Sequence, residues 1–463
     1  MSLATSHMEQ KKDRTIVFFP CPFQGHLKPM MQLASVLYAT GFSVVVVHPT
    51  FKFPDASMYP HFTFHELPDS LNESDLGQCS TEDMVALFQK LNTNCVNPLK
   101  ECLANLLAAG TEAPVACLIS DSVWSFSQAV ADEFGLPRLC LRTTSICALL
   151  ALTALPTLMK KGYFPLRGGE EEEEASVEEL PPLRVKDLPL IQSTRFDSTF
   201  HQLAKSAIVQ SNVSAGLILN SDEELERTDL QKLSENNPIP VYTIGPSLRR
   251  FSSSSHSMLP QDKTCMKWLD KQRINSVLYV SFGSIASVSA ADFSEIAAAL
   301  SRSRCPFIWV IRPGLVIGAD CHRLLPTSFG EEVRDRGCVV EWAPQQEILA
   351  HPATGGFWTH NGWNSTFESM SEGVPMICSP NFGDQKVSAR YVSDVWKVGI
   401  HLEGKLEREA AEDAIRRMME EDEGDELREN AAVLKKKLEM SRLPGGCSFL
   451  HLQRLITTIL SLP

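Results

Sequence analysis

The chain has 463 residues, of which 43% are hydrophobic and 21% charged, a composition typical of soluble globular proteins. This length is too great for one ordinary core, so two domains are expected. The formal net charge of −13 at pH 7 argues against general binding of nucleic acid or of an anionic membrane surface.

The first half of the sequence predicts a strand–helix–strand unit followed by further strands. RTIVFFP (14–20) and FSVVVVHP (42–49) are typical of buried strands, and MMQLASVLYATG (30–41) predicts the helix between them. PVACLISD (114–121) and SAGLILNS (214–221) repeat the strand pattern. These strands are apolar throughout rather than alternating, which indicates a parallel sheet covered on both faces.

The strand pattern restarts after a segment rich in Ser and Pro. Residues 246–262 begin with PSLRRFSSSSHSMLP and are predicted to be an interdomain linker. Short buried strands are then predicted in VLYVSF (277–282), CPFIWVIRP (305–313), GCVVEW (337–342), GGFWTH (355–360) and VPMICSP (374–380). The sequence therefore predicts an α/β fold with two parallel sheets.

Cysteines and apolar tracts indicate the compartment. The 13 cysteines include no C-x-x-C pair, so neither a zinc ribbon nor a thioredoxin-type site is indicated. The first seven residues resemble an expression-tag remnant, so Met8 is taken as the start, and no apolar signal segment follows it. The tract CALLALTALPTLM (147–159) is too short to span a bilayer. We expect a cytoplasmic protein with reduced thiols and no membrane span.

Two polar residues of the first half lie where predicted strands end. His26 is in the turn after the first strand, and Asp121 ends the strand CLISD. Ligands of an open parallel sheet bind outside the carboxyl ends of its strands, so these side chains can lie side by side. A His held by a carboxylate at one ring nitrogen is a good general base near neutral pH. The alternative is that each residue only caps the helix that follows it.

The stretch HNGWNS (360–365) lies at a strand end of the second half. Gly362 permits close backbone approach, and Asn364 and Ser365 offer side-chain donors beside the free amides of a helix start. This combination suits a phosphate or diphosphate. Ordinary N-capping is the alternative. Capping does not account for the other residues expected at the same edge, which are Trp342, Gln345, Glu368, Asp384 and Gln385.

Motifs of several other enzyme classes are absent from the sequence. It contains no G-x-x-x-x-G-K-[ST], G-x-G-x-x-G, H-E-x-x-H or G-x-S-x-G. A P-loop NTPase, a conventional dinucleotide dehydrogenase, a zincin and an α/β-hydrolase therefore lose support.

Residues 342–385 carry a specific resemblance. These 44 residues, WAPQQEILAHPATGGFWTHNGWNSTFESMSEGVPMICSPNFGDQ, closely resemble the signature box of plant UDP-dependent glycosyltransferases of family 1. FPCPFQGHLKP (19–29), LISDSVW (118–124) and VLYVSFGS (277–284) extend the likeness over most of the chain. Within the family the sequence most resembles the group that glucosylates small hormones, specialised metabolites and diterpenoids.

The resemblance implies the GT-B fold, in which two Rossmann-like domains face each other across a cleft. Residues 8–245 would form the acceptor-binding domain and residues 263–446 the UDP-sugar-binding domain, with the linker at 246–262 between them. The final segment, 447–463, would form a helix that packs back on the N-terminal domain. A monomer that binds a small-molecule acceptor and a UDP-sugar is implied.

Positions that match the family's motif imply a complete UDP-sugar site. Trp342 would stack on the uracil, and the backbone of Ala343 would contact the base. The other implied ligands are Gln345 and Glu368 for the ribose, Ser284, His360, Asn364 and Ser365 for the diphosphate, and Trp363, Asp384 and Gln385 for the sugar. Trp363 and Gln385 favour glucose as that sugar.

The resemblance also implies a mechanism. His26 matches the family's general base and Asp121 its orienting partner. His26 would take the proton of an acceptor hydroxyl or carboxylic acid, whose oxygen displaces UDP from the anomeric carbon in one in-line step. UDP-glucose would thus give a β-glucoside. No cofactor and no metal are expected, and no acidic D-x-D motif occurs at the site.

The acceptor is not determined by the sequence. Plausible apolar walls of its pocket are Phe23, Met84, Trp124, Ile146 and Phe200, each of which could equally be plain core. Two alternatives to the transferase stay open. One is a glycoside hydrolase that uses Glu368 and Asp384 as its carboxylate pair. The other is a non-catalytic protein that binds a nucleotide sugar.

Overall fold

The computed structural model describes most of the chain. The described residues are 14–53, 55–71, 81–109, 113–163, 170–189, 199–248, 257, 259–316, 318–319 and 321–463. Side chains at 81–84, 170–171, 199–204 and 322 lie outside this description. Within it the chain forms two parallel sheets covered by helices.

The first sheet has seven strands among the described residues, in the order β3-β2-β1-β4-β5-β6-β7, and every pair is parallel. Its strands are β1 (Thr15–Phe19), β2 (Ser43–Pro49), β3 (Thr63–Leu67), β4 (Val115–Asp121), β5 (Arg138–Arg142), β6 (Gly216–Leu219) and β7 (Val241–Thr243). The central strand β1 is buried along its whole length, as its unbroken apolar sequence TIVFF requires.

The second sheet has six strands among the described residues, also all parallel, in the order β10-β9-β8-β11-β12-β13. Its strands are β8 (Val277–Ser281), β9 (Phe307–Val310), β10 (Gly337–Val340), β11 (Thr354–Thr359), β12 (Met376–Cys378) and β13 (Gly399–His401). β8 and β11 are fully buried and pair with each other at the centre of the sheet.

Helices connect the strands and cover both faces of the sheets. In the first half they are α1 (Gln24–Ala39), α2 (Thr81–Asn94), α3 (Val96–Ala108), α4 (Ser127–Glu133), α5 (Ile146–Lys160), α6 (Glu170–Glu174), α7 (Thr199–Asn212), α8 (Glu223–Glu235) and α9 (Gly245–Leu248). In the second half they are α10 (Thr264–Leu269), α11 (Ala290–Ser303), α12 (Cys321–Leu324), α13 (Phe329–Glu332), α14 (Gln345–Leu349), α15 (Trp363–Glu372), α16 (Asp384–Arg390), α17 (Arg408–Glu420), α18 (Asp422–Ser441) and α19 (Cys447–Ser461). Short helical turns lie at Ala56–Met58, Val185–Asp187 and Tyr391–Val395.

The sequence analysis did not identify β3, β5, β7 and β13. β5 reads RLCLR, and its two arginines disguise a strand that is nonetheless buried at every position. Arg138 is tolerated there because its guanidinium donates to Ser120 Oγ (2.7 Å), Gln128 Oε1 (3.3 Å) and the Gln210 carbonyl (3.0 Å). The other three are edge or near-edge strands of three to five residues, too short for a clear pattern.

One apolar cluster joins the two halves. Leu225 from the first half shares it with Phe367 and Trp396 from the second. Beside it the buried Arg390 guanidinium donates to Asp187 Oδ2 at 2.9 Å and to Glu403 Oε1 at 2.9 Å. Because a buried charge is tolerated only when it is paired, these contacts fix the two halves against each other along this side.

The last helix, α19, returns to the first sheet. Leu452, Leu455 and Ile459 are buried in the same apolar cluster as β1 and β2 residues. His451 Nδ1 accepts from the Thr243 amide at 3.1 Å, which anchors the helix to β7. The linker assigned to 246–262 stays a prediction, since residues 249–256 and 258 lie outside the described residues.

Two further observations concern membrane-spanning helices and cysteine pairing. Within the described ranges, no helix combines the length and the apolar character needed to cross a bilayer. The cysteines there are all unpaired, and most are buried.

Candidate active site

A cavity of about 780 Å³ lies where the carboxyl ends of the two sheets face each other. The turns after β1, β4 and β5 line one side, and those after β8, β10, β11 and β12 line the other. Parallel strands bring all their carboxyl ends to one edge, so polar turns that are distant in sequence meet there.

His26 and Asp121 lie in contact at this cavity. β1 pairs directly with β4, which places the first turn of α1 beside the end of β4. His26 Nδ1 is 2.9 Å from Asp121 Oδ2, and the other oxygen of this fully buried carboxylate accepts from the Val123 amide at 3.0 Å. We assign the proton to Nδ1, because the carboxylate can only accept there. Nε2 is then the basic nitrogen of a side chain that lines the cavity.

The surroundings of His26 favour its protonated form. Burial lowers the pKa of His26, but the charge of Asp121, its hydrogen bond and the charge of Asp384 together outweigh that effect. The pKa of His26 is therefore raised above its usual value. Thr143, which follows β5, places its Oγ1 3.3 Å from His26 Nδ1 and helps to fix the ring.

His360 follows β11 and is enclosed by two glycines. A Cβ at Gly283 would lie 2.5 Å from its Cε1, and one at Gly362 would lie 2.6 Å from its Nε2, so only glycine leaves room for the ring. Burial, with a smaller effect from the positive charge of Arg312, lowers the pKa of His360 to about 4. The imidazole is therefore neutral near pH 7 and can donate one N–H without carrying charge.

Backbone geometry shapes the two turns beside His360. Asn361 has a φ of 58°, a left-handed conformation that Asn adopts more readily than most residues, which explains the first Asn of HNGWNS. Arg312 fixes the turn after β8, because its Nε donates to the Gly283 carbonyl at 2.9 Å and its Nη2 to the Ala286 carbonyl at 2.6 Å. Ser284, predicted as a diphosphate ligand, lines the cavity in this turn.

The residues predicted for the base and the ribose lie together. Trp342 and the buried Ala343 line the cavity after β10, and the Trp342 indole N–H donates to Ser257 Oγ at 3.0 Å. Gln345 Nε2 donates to Glu368 Oε2 at 2.9 Å. Glu368 Oε1 accepts from Lys28 Nζ at 2.5 Å, so this carboxylate is paired with a cation of the first half.

The start of α15 connects the two halves. The Trp363 indole is buried and donates to the Asn220 carbonyl at 2.7 Å. Asn364 Nδ2 donates to the Gly25 carbonyl at 2.6 Å, and its Oδ1 accepts from Asn220 Nδ2 at 2.7 Å. Ser365 Oγ accepts from Gln345 Nε2 at 3.1 Å. Predicted ligands of the diphosphate and the sugar therefore also hold the first half in place.

Asp384 and Gln385 begin α16 and line the same cavity. Gln385 Oε1 accepts from the backbone amides of Asn381 (2.9 Å) and Phe382 (3.3 Å), which turns its amide NH₂ away from them. Burial raises the pKa of Asp384, although the charges of His26 and Arg142 oppose the rise. The cavity thus offers a donor and a carboxylate acceptor side by side, a pair that suits a sugar diol.

Three of the five predicted acceptor walls are buried core residues that do not line the cavity. Trp124 is fully buried and stacks on Phe19 with the ring centroids 4.5 Å apart. Ile146 and Phe23 are also core residues, and none of the three is among the described residues that line the cavity. The side chains of Met84 and Phe200 lie outside the described residues. An apolar residue near a strand end is buried in the core unless the neighbouring loops leave it exposed to the cavity. The sequence does not reveal how those loops lie.

The structure adds cavity residues that the sequence analysis missed. Each lies at a strand end or in the segment that follows one: Arg142 ends β5, Thr143 and Thr144 follow it, and Lys28 lies near the start of α1. Asn220, which follows β6, acts on the same site through Trp363 and Asn364. Position at or after a strand end was the available signal, but β5 went unrecognised, and with it its last residue, Arg142, and the two residues that follow.

Comparison with known proteins agrees with this geometry. A family model described as UDP-glucoronosyl and UDP-glucosyl transferase matches residues 24–436. UDP-glycosyltransferase 76B1 of Arabidopsis thaliana is 44% identical over 455 residues, which cover 98% of this chain and 100% of the relative. UDP-glycosyltransferase 76G1 of Stevia rebaudiana is 43% identical, with 98% of each chain covered. The chain belongs to the plant family 1 UDP-glycosyltransferases.

Solved structures show the same GT-B architecture for this glycosyltransferase. Phytolacca americana UGT2, complexed with UDP-2fluoro-glucose and pterostilbene, superposes with a TM-score of 0.81 at 29% identity, covering 97% of this chain and 100% of that one. A UDP-glucose: anthocyanidin 3-O-glucosyltransferase in complex with UDP gives a TM-score of 0.82 at 25% identity, with the same coverage. The predicted family and fold are confirmed.

The glycoside hydrolase alternative loses support. This family consists of transferases, and Glu368 is ion-paired with Lys28 and hydrogen-bonded to Gln345. Glycoside hydrolysis needs two carboxyl groups that are free to act on the glycosidic bond, and the carboxylate of Glu368 is already engaged by Lys28 and Gln345.

The glycine enclosure of His360 is testable with Gly283→Ala. The added Cβ would meet the His360 ring at 2.5 Å, at a φ of 75° that already disfavours a side chain. We expect UDP affinity to fall about 10- to 100-fold, because a displaced ring would lose the hydrogen bond to the diphosphate that the family resemblance implies. Isothermal calorimetry with UDP measures this.

The matched control for Gly283→Ala is Gly404→Ala. Gly404 has a φ of 78° and no atom within 4 Å of a Cβ, so the substitution brings the backbone strain without the ring contact. We expect it to bind UDP as the parent does. Parental UDP affinity in Gly283→Ala would show that the enclosure is unimportant.

Proposed function

We propose that this glycosyltransferase moves glucose from UDP-glucose to a hydroxyl or carboxyl group of a small, largely apolar plant metabolite, with inversion to a β-glucoside. The observation that carries the proposal is the His26–Asp121 pair, at 2.9 Å, on the opposite side of one cavity from the predicted UDP-sugar ligands. A base and a donor site that share a cavity are the arrangement that a one-step transfer requires.

The transfer is one displacement. The acceptor hydroxyl gives its proton to His26 Nε2 as its oxygen bonds to the anomeric carbon. The bond from that carbon to the diphosphate oxygen breaks on the opposite face, and its electron pair leaves with UDP, so an α-linked donor gives a β-linked product. Asp121 stabilises the imidazolium that forms, since it already accepts from Nδ1.

The leaving diphosphate gains negative charge as that bond breaks. In our proposal its oxygens accept hydrogen bonds from the free amides at the start of α15, from the hydroxyls of Ser284 and Ser365, and from the neutral His360. Donors fixed before the reaction stabilise such charge without reorganising. We therefore propose that no metal takes part.

Glucose as the donor sugar is supported by two observations. Gln385 and Asp384 begin α16 at the cavity, where an amide and a carboxylate can bind neighbouring sugar hydroxyls. One relative, 40% identical over 460 residues, is named flavonol 3-O-glucosyltransferase UGT76E12. The apolar walls Val85, Phe88, Val123 and Leu152 suit an acceptor with a hydrophobic body.

The proposed function is tested by offering UDP-glucose with a panel of hydroxylated and carboxylic plant metabolites and reading product masses. We expect products that gain one hexose, and His26→Ala should lower kcat/KM at least about 100-fold, because it removes the base. UDP affinity, measured by calorimetry, should stay at the parental value. Transfer that survives in His26→Ala would show that His26 is not the base. Absence of transfer to every acceptor would favour a non-catalytic nucleotide-sugar-binding protein.

Asp121→Asn should change the pH profile in a defined direction. A general base works above its own pKa, and Asp121 raises that of His26. Removing the charge lowers the pKa of His26, so the acidic limb of kcat/KM against pH should move to lower pH. The plateau should fall at least about 10-fold, because the imidazolium is no longer stabilised. A limb that stays in place or moves to higher pH would contradict this role for Asp121.

Chelation should leave turnover unchanged. If protein donors alone stabilise the leaving diphosphate, an excess of EDTA has no metal to remove from the reaction. The initial rate with UDP-glucose is compared before and after dialysis against EDTA. A rate that falls and returns on addition of Mg²⁺ or Mn²⁺ would overturn the metal-free proposal.

A further inference from the structure

Arg142 is a buried cation in the wall of the acceptor half of the cavity. It is the last residue of β5, is 5% exposed and lines the cavity. The next residue, Thr143, lies 3.3 Å from the ring of His26, so Arg142 is one residue from a contact of the general base. No part of the proposed transfer uses its charge.

The Arg142 guanidinium is poorly satisfied by the protein. Nη1 donates to Ser211 Oγ at 3.3 Å, while the buried Nε has no partner. Within the described residues no carboxylate forms an ion pair with it. Arg390, by comparison, is paired with Asp187 and Glu403, and Arg138 makes three hydrogen bonds although its Nη2 also lacks a partner. A buried charge is costly unless it is paired, so Arg142 lacks the anion that its burial calls for.

A second donor without a partner lies two residues further on. Thr144 Oγ1 is buried and has no hydrogen-bond partner within the described residues. Thr144 lines the same cavity. The backbone amides that begin α5 are not available, because Glu226 accepts from Ile146 and Cys147. Two side-chain donors at alternate positions of one turn can hold the two oxygens of a carboxylate.

Neither the protein nor the donor nucleotide supplies this anion. Asp121 is hydrogen-bonded to His26 and to the Val123 amide. Burial lowers the pKa of Arg142 and the charges of Asp121 and Asp384 both act to raise it, but neither carboxylate forms an ion pair with it. The predicted diphosphate ligands lie on the other sheet, in the turns after β8 and β11. The remaining candidate is an acceptor that carries its own negative charge.

We propose that the acceptor is a hydroxy acid with an apolar body, whose carboxylate is bound by Arg142 and Thr144 while its hydroxyl faces His26. This inference rests on the proposed glucosyl transfer and specifies its acceptor. The hydroxyl, not the carboxylate, is the nucleophile. In this pose Arg142 and Thr144 hold the carboxylate, and the hydroxyl is the group with a proton for His26 to take, since a carboxylic acid is already ionised near pH 7. The product is therefore an O-glucoside that keeps its carboxylate, and UDP leaves with the electron pair of the broken bond.

The test compares each acid with its own methyl ester as acceptor. Wild type should prefer a set of aromatic and branched hydroxy acids over their methyl esters in kcat/KM. Arg142→Met should lower the acid-to-ester ratio of kcat/KM about 30- to 100-fold, and Arg142→Lys, which keeps the charge, should lower it less. Thr144→Val should lower the ratio about three- to tenfold, since one neutral donor is lost.

Controls separate recognition from folding. Lys100→Met removes an equal charge from an exposed ion pair with Glu133 and should leave the ratio at its parental value. Each variant is checked by thermal unfolding and by UDP calorimetry. If Arg142→Met does not fold, Thr144→Val and Arg142→Lys carry the test.

The outcomes distinguish this inference from the function it depends on. Equal loss of acid and ester activity in Arg142→Met would mean that Arg142 positions His26 and does not recognise the acceptor. A wild-type ratio near one, or an alkali-labile glucose ester as product, would also overturn the inference while leaving glucosyl transfer intact. If neither acids nor esters accept a hexose from UDP-glucose but other alcohols do, the acceptor assignment fails alone. If no compound accepts a hexose from UDP-glucose, the proposed function itself fails.

Discussion

The start of α15 is the constraint on which the site depends. Trp363 and Asn364 are predicted ligands of the UDP-sugar, yet they also bond to Asn220 and to the Gly25 carbonyl of the first half. Gly25 is the neighbour of His26. Three hydrogen bonds of 2.6–2.7 Å therefore hold the start of α15 against the first half of the chain, beside the turn that carries His26. Holding reacting groups in register across two domains is where a transferase gains much of its rate.

The charged neighbours of the cavity differ from one region of it to another. Asp121 raises the pKa of His26, whereas burial and Arg312 keep His360 neutral with a pKa of about 4. In the proposed transfer, two histidines at one cavity therefore serve as a base and as an uncharged donor, because their neighbours shift their pKa values in opposite directions. Arg142 adds a positive charge on the acceptor side, where an apolar wall would suffice for a neutral substrate.

The strands that carry the predicted site residues at their ends could be identified from the sequence because their signal is local. β1, β2, β4 and β6 and five strands of the second sheet are apolar runs, and a parallel sheet collects their carboxyl ends at one edge. His26 and Asp121 could be paired on that ground, and the signature at 342–385 placed the UDP-sugar ligands at the cavity. The residues that line the acceptor pocket have no such local signal in the sequence. Trp124 and Ile146 are core because other elements cover them.

The apolar strand runs determined the α/β architecture with two parallel sheets from sequence alone, and the resemblance of residues 342–385 to the glycosyltransferase signature box indicated the family. Tertiary structure decided which strand ends touch. It buried β5 despite its two arginines, put Thr143 against His26, brought Lys28 to Glu368 and left Arg142 without an anion. The physical reason is that local sequence sets hydrophobic pattern and turn chemistry. Desolvation and the choice of charge partner depend on residues hundreds of positions away, which only the folded chain brings together.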